Sequence, residues 1–208
     1  MKILVLATDM QKEEWLAQSA AGNDSITWIG NIDDVAKNNA DVIIDLLFED
    51  EPGHETALTE SSASLVIINA VTTIRAALPS HFVRINGWPT FLKRAIVEAS
   101  AEESAQEKAI SVFLTLNKQV SWVADQPGFI SARIVAMIIN EAYLALEENV
   151  SSKEEIDIAM KTGTNYPYGP FEWADKIGVQ KIDILLNALS QQEKRYKPSV
   201  LLTKEAAQ

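Results

Sequence analysis

Short runs of aliphatic and β-branched residues recur through the first half of the chain, separated by polar stretches, and this alternation narrows the possible folds more than any other feature. Lys2–Ala7 reads as a fully buried strand, Ser25–Ile29 as a second, Ala40–Phe48 as a third and Ser64–Asn69 as a fourth, with Val83–Asn86 fitting a fifth. Between them, Met10–Ala21 has a helical pattern with Trp15 and Leu16 on its apolar face, and Gly22, Asn23 and Asp24 form a stop signal. Asp33–Asn39 is a short helix or turn, and Glu49–His54 is a polar turn holding Pro52 and Gly53. Strands alternating with helices predict a parallel α/β sheet.

The pattern changes near Asp125, beyond which only helical signals occur. Phe129–Glu148 is apolar almost all round, which predicts a long helix buried on most sides. Ser152 followed by Glu155 has capping-box spacing and opens a helix through Lys161. Pro170 suits the first turn of another, reaching Asp175. Val179–Leu189 is a further helix, and Lys204–Gln208 is expected to fray. The domains expected are therefore 1–122 and 123–208.

Composition excludes several classes. The 208 residues carry a net charge of -11, which repels nucleic-acid backbones and sets a mild barrier to anionic ligands. There is no cysteine, so disulfides and thiolate metal sites are out, and a cytoplasmic location is expected. The run Met1–Ala7 is too short for a secretory h-region, and Arg133, Asn140 and Glu141 interrupt the most apolar later stretch, so no membrane span is expected. No His and carboxylate set has metal-ligand spacing, and neither a nucleophile elbow nor a P-loop occurs.

An ordered series of motifs marks the C-terminal part: Gly128-Phe129-Ile130, Arg133, Asn140-Glu141-Ala142, Asp157, Gly163, Tyr166 to Glu172 with Gly169-Pro170-Phe171, and Arg195 to Ser199. Together these residues resemble the helical domain of 3-hydroxyacyl-CoA dehydrogenases. The resemblance implies α/β plus all-α architecture: a shortened Rossmann-like parallel sheet, then a helical domain through which the family dimerises. It further implies NAD as cofactor and a 3-hydroxyacyl-CoA as substrate. Most of the matched residues make helix starts and turns, so they speak for fold and not for activity.

Three departures from the family pattern bear on chemistry. The glycine-rich turn after the first strand is replaced: Ala7, Asp9 and Lys12 stand on the three glycines, and Asp9 adds a carboxylate where phosphates would sit. The acidic ribose ligand after the second strand is absent, with Ile29-Gly30-Asn31 in its place, and Ile29–Asp41 is too short for the family's helical excursion. The family's general base is a histidine oriented by a glutamate twelve residues later. Glu98 matches the glutamate, but Asn86 holds the histidine position, and an amide accepts no proton near neutrality. Glu98 is thus either a leftover carboxylate or the survivor of a dyad. The nearest histidine, His81, reads as a surface residue, and His54 is assigned no role.

The substrate-pocket positions implied by the resemblance are Asn69 and Thr72, in the altered Asn69-Ala70-Val71-Thr72 stretch, and Ala132, where the family has an asparagine. The stretch from Asp45 to Asp50 resembles the family's strand end near the nicotinamide. Three readings follow. One is a non-catalytic relative that binds an acyl-CoA-like ligand or a protein partner, with no cofactor. Another is an active NAD-dependent 3-hydroxyacyl-CoA dehydrogenase of fatty-acid or butanoate metabolism. The last is a purely structural dimer module.

Overall fold

The first strand forms because Ile3–Leu6 is apolar at every position, as a central parallel strand covered on both faces requires. A computed structural model describes residues 1–17, 26–51, 53–74 and 78–208. The described residues build a seven-stranded sheet, ordered β2-β1-β3-β4-β5-β6-β7. The strands are β1 Ile3–Leu6, β2 Ile26–Ile29, β3 Val42–Asp45, β4 Leu65–Asn69, β5 Phe82–Ile85, β6 Ile96–Ala101 and β7 Gln119–Trp122. The first five run parallel, β6 is antiparallel to β5, and β7 is parallel to β6.

The sheet reverses at β6 for a reason of length. The 86–95 connection carries no helix, and a parallel crossover needs about a dozen residues or more. The parallel sheet expected from the sequence holds, with one antiparallel junction between β5 and β6. β6, α3 (Glu103–Thr115) and β7 were not anticipated as elements.

Alternate residues of each strand feed two cores. Ile3, Val5, Val42, Ile44, Ile67 and Ile85 pack with Trp15 of α1 (Asp9–Leu16) and with Val112 and Phe113 of α3. Leu4, Leu6, Ile43, Val66, Ile68 and Phe82 pack with Leu58 of α2 (His54–Thr59) and with Val35. The second and third strands are shorter than expected. The Ser25 start of the second, and the Ala21 end and Gly22-Asn23-Asp24 stop of the first helix, lie outside the described residues. The third ends at Asp45, whose Oδ1 accepts from the Leu47 amide at 2.8 Å and turns the chain. His54, read as part of a polar turn, instead opens α2 and is buried.

The chain divides into two compact units, Met1–Phe129 and Ile130–Gln208. The 123–129 segment, expected to open the second domain, is held on the first. Asp125 pairs with Arg84, the Gly128 amide donates to the Val71 carbonyl at 2.7 Å, and the Arg84 guanidinium lies 4.8 Å over the Phe129 ring.

The second unit contains α4 (Ser131–Glu147), α5 (Lys153–Thr164), α6 (Pro170–Ile177), α7 (Val179–Ser190) and α8 (Val200–Ala206). Its motif residues are structural. Both Asp157 oxygens cap α6, accepting from the Phe171 and Glu172 amides at 2.8 and 3.1 Å. A Cβ on Gly169 would stand 2.3 Å from that carboxylate, so only glycine fits there. Asn140 accepts from the Ser199 amide at 2.8 Å and donates to the Lys197 carbonyl. The expected fraying from Lys204 is corrected: Ser199 caps α8 through the Leu202 amide, and Lys153 pairs with Glu205 at 2.8 Å. α4 buries one face, while Ile134 stays 54% exposed, so it is less covered than its composition predicts.

Candidate functional site

In a doubly wound sheet, ligands meet the carboxyl ends of the strands where the strand order reverses. Here that place lies between β1 and β3. The turn after β1 is closed by its own side chains. Thr8 Oγ1 accepts from the Gln11 amide at 3.2 Å, and Gln11 Oε1 accepts from the Thr8 amide at 2.9 Å. Gln11 Nε2 donates to the Leu46 carbonyl at the end of β3, at 2.9 Å. Asp9 adds a carboxylate to the first turn of α1, and Lys12 stands 5.4 Å over the Trp28 ring. Both Glu14 oxygens accept from the Thr90 amide at 2.9 Å, tying α1 to the turn after β5.

Glu49 occupies the ends of the middle strands. Its Oε1 accepts from the Val71 amide at 3.0 Å, the Thr72 amide at 2.6 Å and the Thr72 hydroxyl at 2.5 Å. Its Oε2 accepts from the Trp88 indole N–H at 2.7 Å, and Trp88 is fully buried. Asn69 donates to the Leu46 carbonyl at 3.2 Å and accepts from the Gly87 amide at 2.9 Å. A Cβ on Gly87 would meet Asn69 Cγ at 2.8 Å, which explains the glycine.

Asn86 and Glu98 are neighbours across β5 and β6. The Asn86 amide donates to the Glu98 carbonyl at 3.0 Å, and Asn86 Nδ2 donates to Glu98 Oε2 at 3.2 Å. Asn86 Oδ1 is buried without a hydrogen-bond partner among the described residues. The structure thus joins Asn86 to Glu98, links Asn69 to the loop that follows Asn86, and sets Thr72 on Glu49. Ala132 lies on α4 of the second unit.

A further pair was missed. His54 Nδ1 stands 2.6 Å from Asp45 Oδ2, with Asp45 wholly buried and His54 6% exposed. Burial pushes the Asp45 carboxyl above its usual range, while the hydrogen bond and charge of His54 oppose that shift. A carboxylate inside an apolar strand run was the available signal, since a buried charge needs a partner. The chain has only two histidines to supply one. Glu49 and Trp88 were also missed as site residues. Among the described residues, no group of three or more His, Cys, Asp or Glu could hold a metal ion. No helix there is long and apolar enough to cross a membrane.

The sheet-plus-helices architecture is that of Rossmann-like dehydrogenases with a helical C-terminal domain. An (S)-3-hydroxybutyryl-CoA dehydrogenase of Ralstonia eutropha superposes with a TM-score of 0.73, covering 99% of this chain and 93% of that one at 20% identity, a likeness of fold. The profile of the 3-hydroxyacyl-CoA dehydrogenase C-terminal domain matches residues 128–207. A 3-hydroxyadipyl-CoA dehydrogenase of Escherichia coli is 46% identical over 106 residues, which is 50% of this chain and 22% of the relative. A probable 3-hydroxybutyryl-CoA dehydrogenase of Bacillus subtilis is 33% identical over 162 residues, 74% of this chain and 54% of the relative. The chain therefore belongs to the 3-hydroxyacyl-CoA dehydrogenase family, and it spans about half or less of the curated relatives' length.

Proposed function

We propose that this chain is a family member that does not carry out NAD-dependent hydride transfer and that binds an acyl-CoA-like ligand or a protein partner. Asn86 carries this reading. It stands where the family's base is expected, gives its amide N–H to Glu98, and leaves only a carbonyl oxygen, which takes up no proton near neutrality. Losing a general base costs about 10² to 10⁴ in rate. The cofactor site is also a poor fit. A diphosphate at the β1 turn would face the Asp9 carboxylate and amides already engaged by Thr8 and Gln11. At the nicotinamide end, Glu49 and Trp88 already satisfy one another.

The names of the relatives favour a second reading, an active dehydrogenase. An assay with 3-hydroxybutyryl-CoA and NAD decides between the two. NADH at background supports our reading, and sustained NADH formation overturns it.

A second copy of the chain is the protein partner we propose. On the helical unit, Arg133, Ile134, Met137, Ile138 and Tyr196 line an apolar hollow of about 360 Å³. Stable homodimer interfaces are apolar, and this hollow with the exposed Ile134 beside it is the apolar surface that supports the proposal.

A further inference from the structure

We infer that Asp45 and His54 form a proton-accepting dyad, with His54 Nε2 as the atom that takes a proton from a hydroxyl-bearing ligand at the carboxyl end of β3. The inference is independent of the hydride question, since proton transfer to an imidazole needs no nicotinamide.

Four observations carry it. The Nδ1 to Oδ2 separation is 2.6 Å, a short hydrogen bond between an imidazole and a carboxyl group. Asp45 is held as an acceptor from both sides, by the Leu47 amide at 2.8 Å on Oδ1 and by the imidazole on Oδ2. In the neutral ring that arrangement favours the proton on Nδ1, which leaves the lone pair on Nε2. Nε2 has no hydrogen-bond partner among the described residues, and the His54 side chain keeps 7% of its surface exposed. The pair also lies at the ligand-binding end of the sheet: Asp45 closes β3 beside Leu6 of β1, where the strand order reverses.

The step balances without a co-reactant. The ligand O–H bond breaks, its electron pair stays on oxygen, and the proton forms the Nε2–H bond. The imidazolium that results keeps its Nδ1–H on the Asp45 carboxylate, which stabilises the new charge. A dyad that only clasps the β3–α2 loop would share the short contact but need no reactive Nε2.

The test uses a His81→Asn background, which leaves His54 as the single histidine. Nitrogen-15 ring spectra are expected to show Nδ1 protonated and Nε2 bearing the lone pair. Diethyl pyrocarbonate is expected to modify His54 in the folded protein, more slowly than free N-acetylhistidine because the ring is mostly buried, and Asp45→Asn to slow that modification further. An Nε2–H tautomer overturns the inference, as does a His54 that reacts only after denaturation. The spectra of the background protein decide the matter even where Asp45→Asn does not fold.

Discussion

Asn86, Glu49 and Gly87 show how the site is shaped at the scale of single residues. Returning an imidazole through Asn86→His sets the family's acceptor twelve residues before Glu98. We expect NADH production from that variant to stay at background, because the turn at Thr8 is unchanged; turnover in the same assay would show that the base alone was missing. Glu49→Ala strands four donors and is expected to lower unfolding free energy by about 3 kcal/mol in urea titrations. Gly87→Ala drives a methyl into Asn69 and is expected to cost about 2 kcal/mol by the same measurement. The Asn86 and Glu98 pairing was readable only through the family's twelve-residue interval, since β6, which carries Glu98, was not anticipated as a strand. For Asp45 the sequence signalled only that a buried carboxylate needs a partner, and not that the partner is His54. Nine residues separate them, and only the path of the β3–α2 loop brings them together.

Individual strands and helices were legible where one rule acted alone. β1, β3 and β4 are apolar at nearly every position, and α5 and α6 begin at Ser152 and Pro170 as cap chemistry dictates. β6 is different. Its sequence, Ile96 to Ala101, is rich in small residues and only partly buried, so its strand character comes from pairing with β5 and β7. Lys118 couples several of these elements. Just before β7, its buried ammonium donates to the Leu92 and Arg94 carbonyls at 2.7 and 2.9 Å and lies 5.0 Å from the Trp15 ring of α1. Burial lowers its pKa to about 8, with Glu14 opposing. Because the folded value is depressed, the unfolded chain binds more protons between pH about 8 and its ordinary 10.5, and stability rises across that window. We expect a gain on the order of 1 kcal/mol in urea titrations over that range, absent in Lys118→Met.

At the level of the whole molecule, the two units answer different questions. The C-terminal unit, Ile130–Gln208, keeps the family's turn and cap residues and makes the ancestry plain. The exposed α4 surface around Ile134 predicts a dimer at micromolar concentration, and Ile134→Glu is expected to sediment as a monomer. A wild-type monomer under the same conditions would contradict the homodimer. In the N-terminal unit the sheet is kept, and our proposal is that Gln11, Glu49, Trp88 and Asn86 stand in the places of the diphosphate and proton-acceptor sites. Calorimetric titration of NAD into the protein tests that claim most directly. The self-capped turn at Thr8 and the Glu49–Trp88 contact predict no saturable heat up to about 1 mM NAD, whereas one-site binding with a Kd of about 10 μM would contradict it.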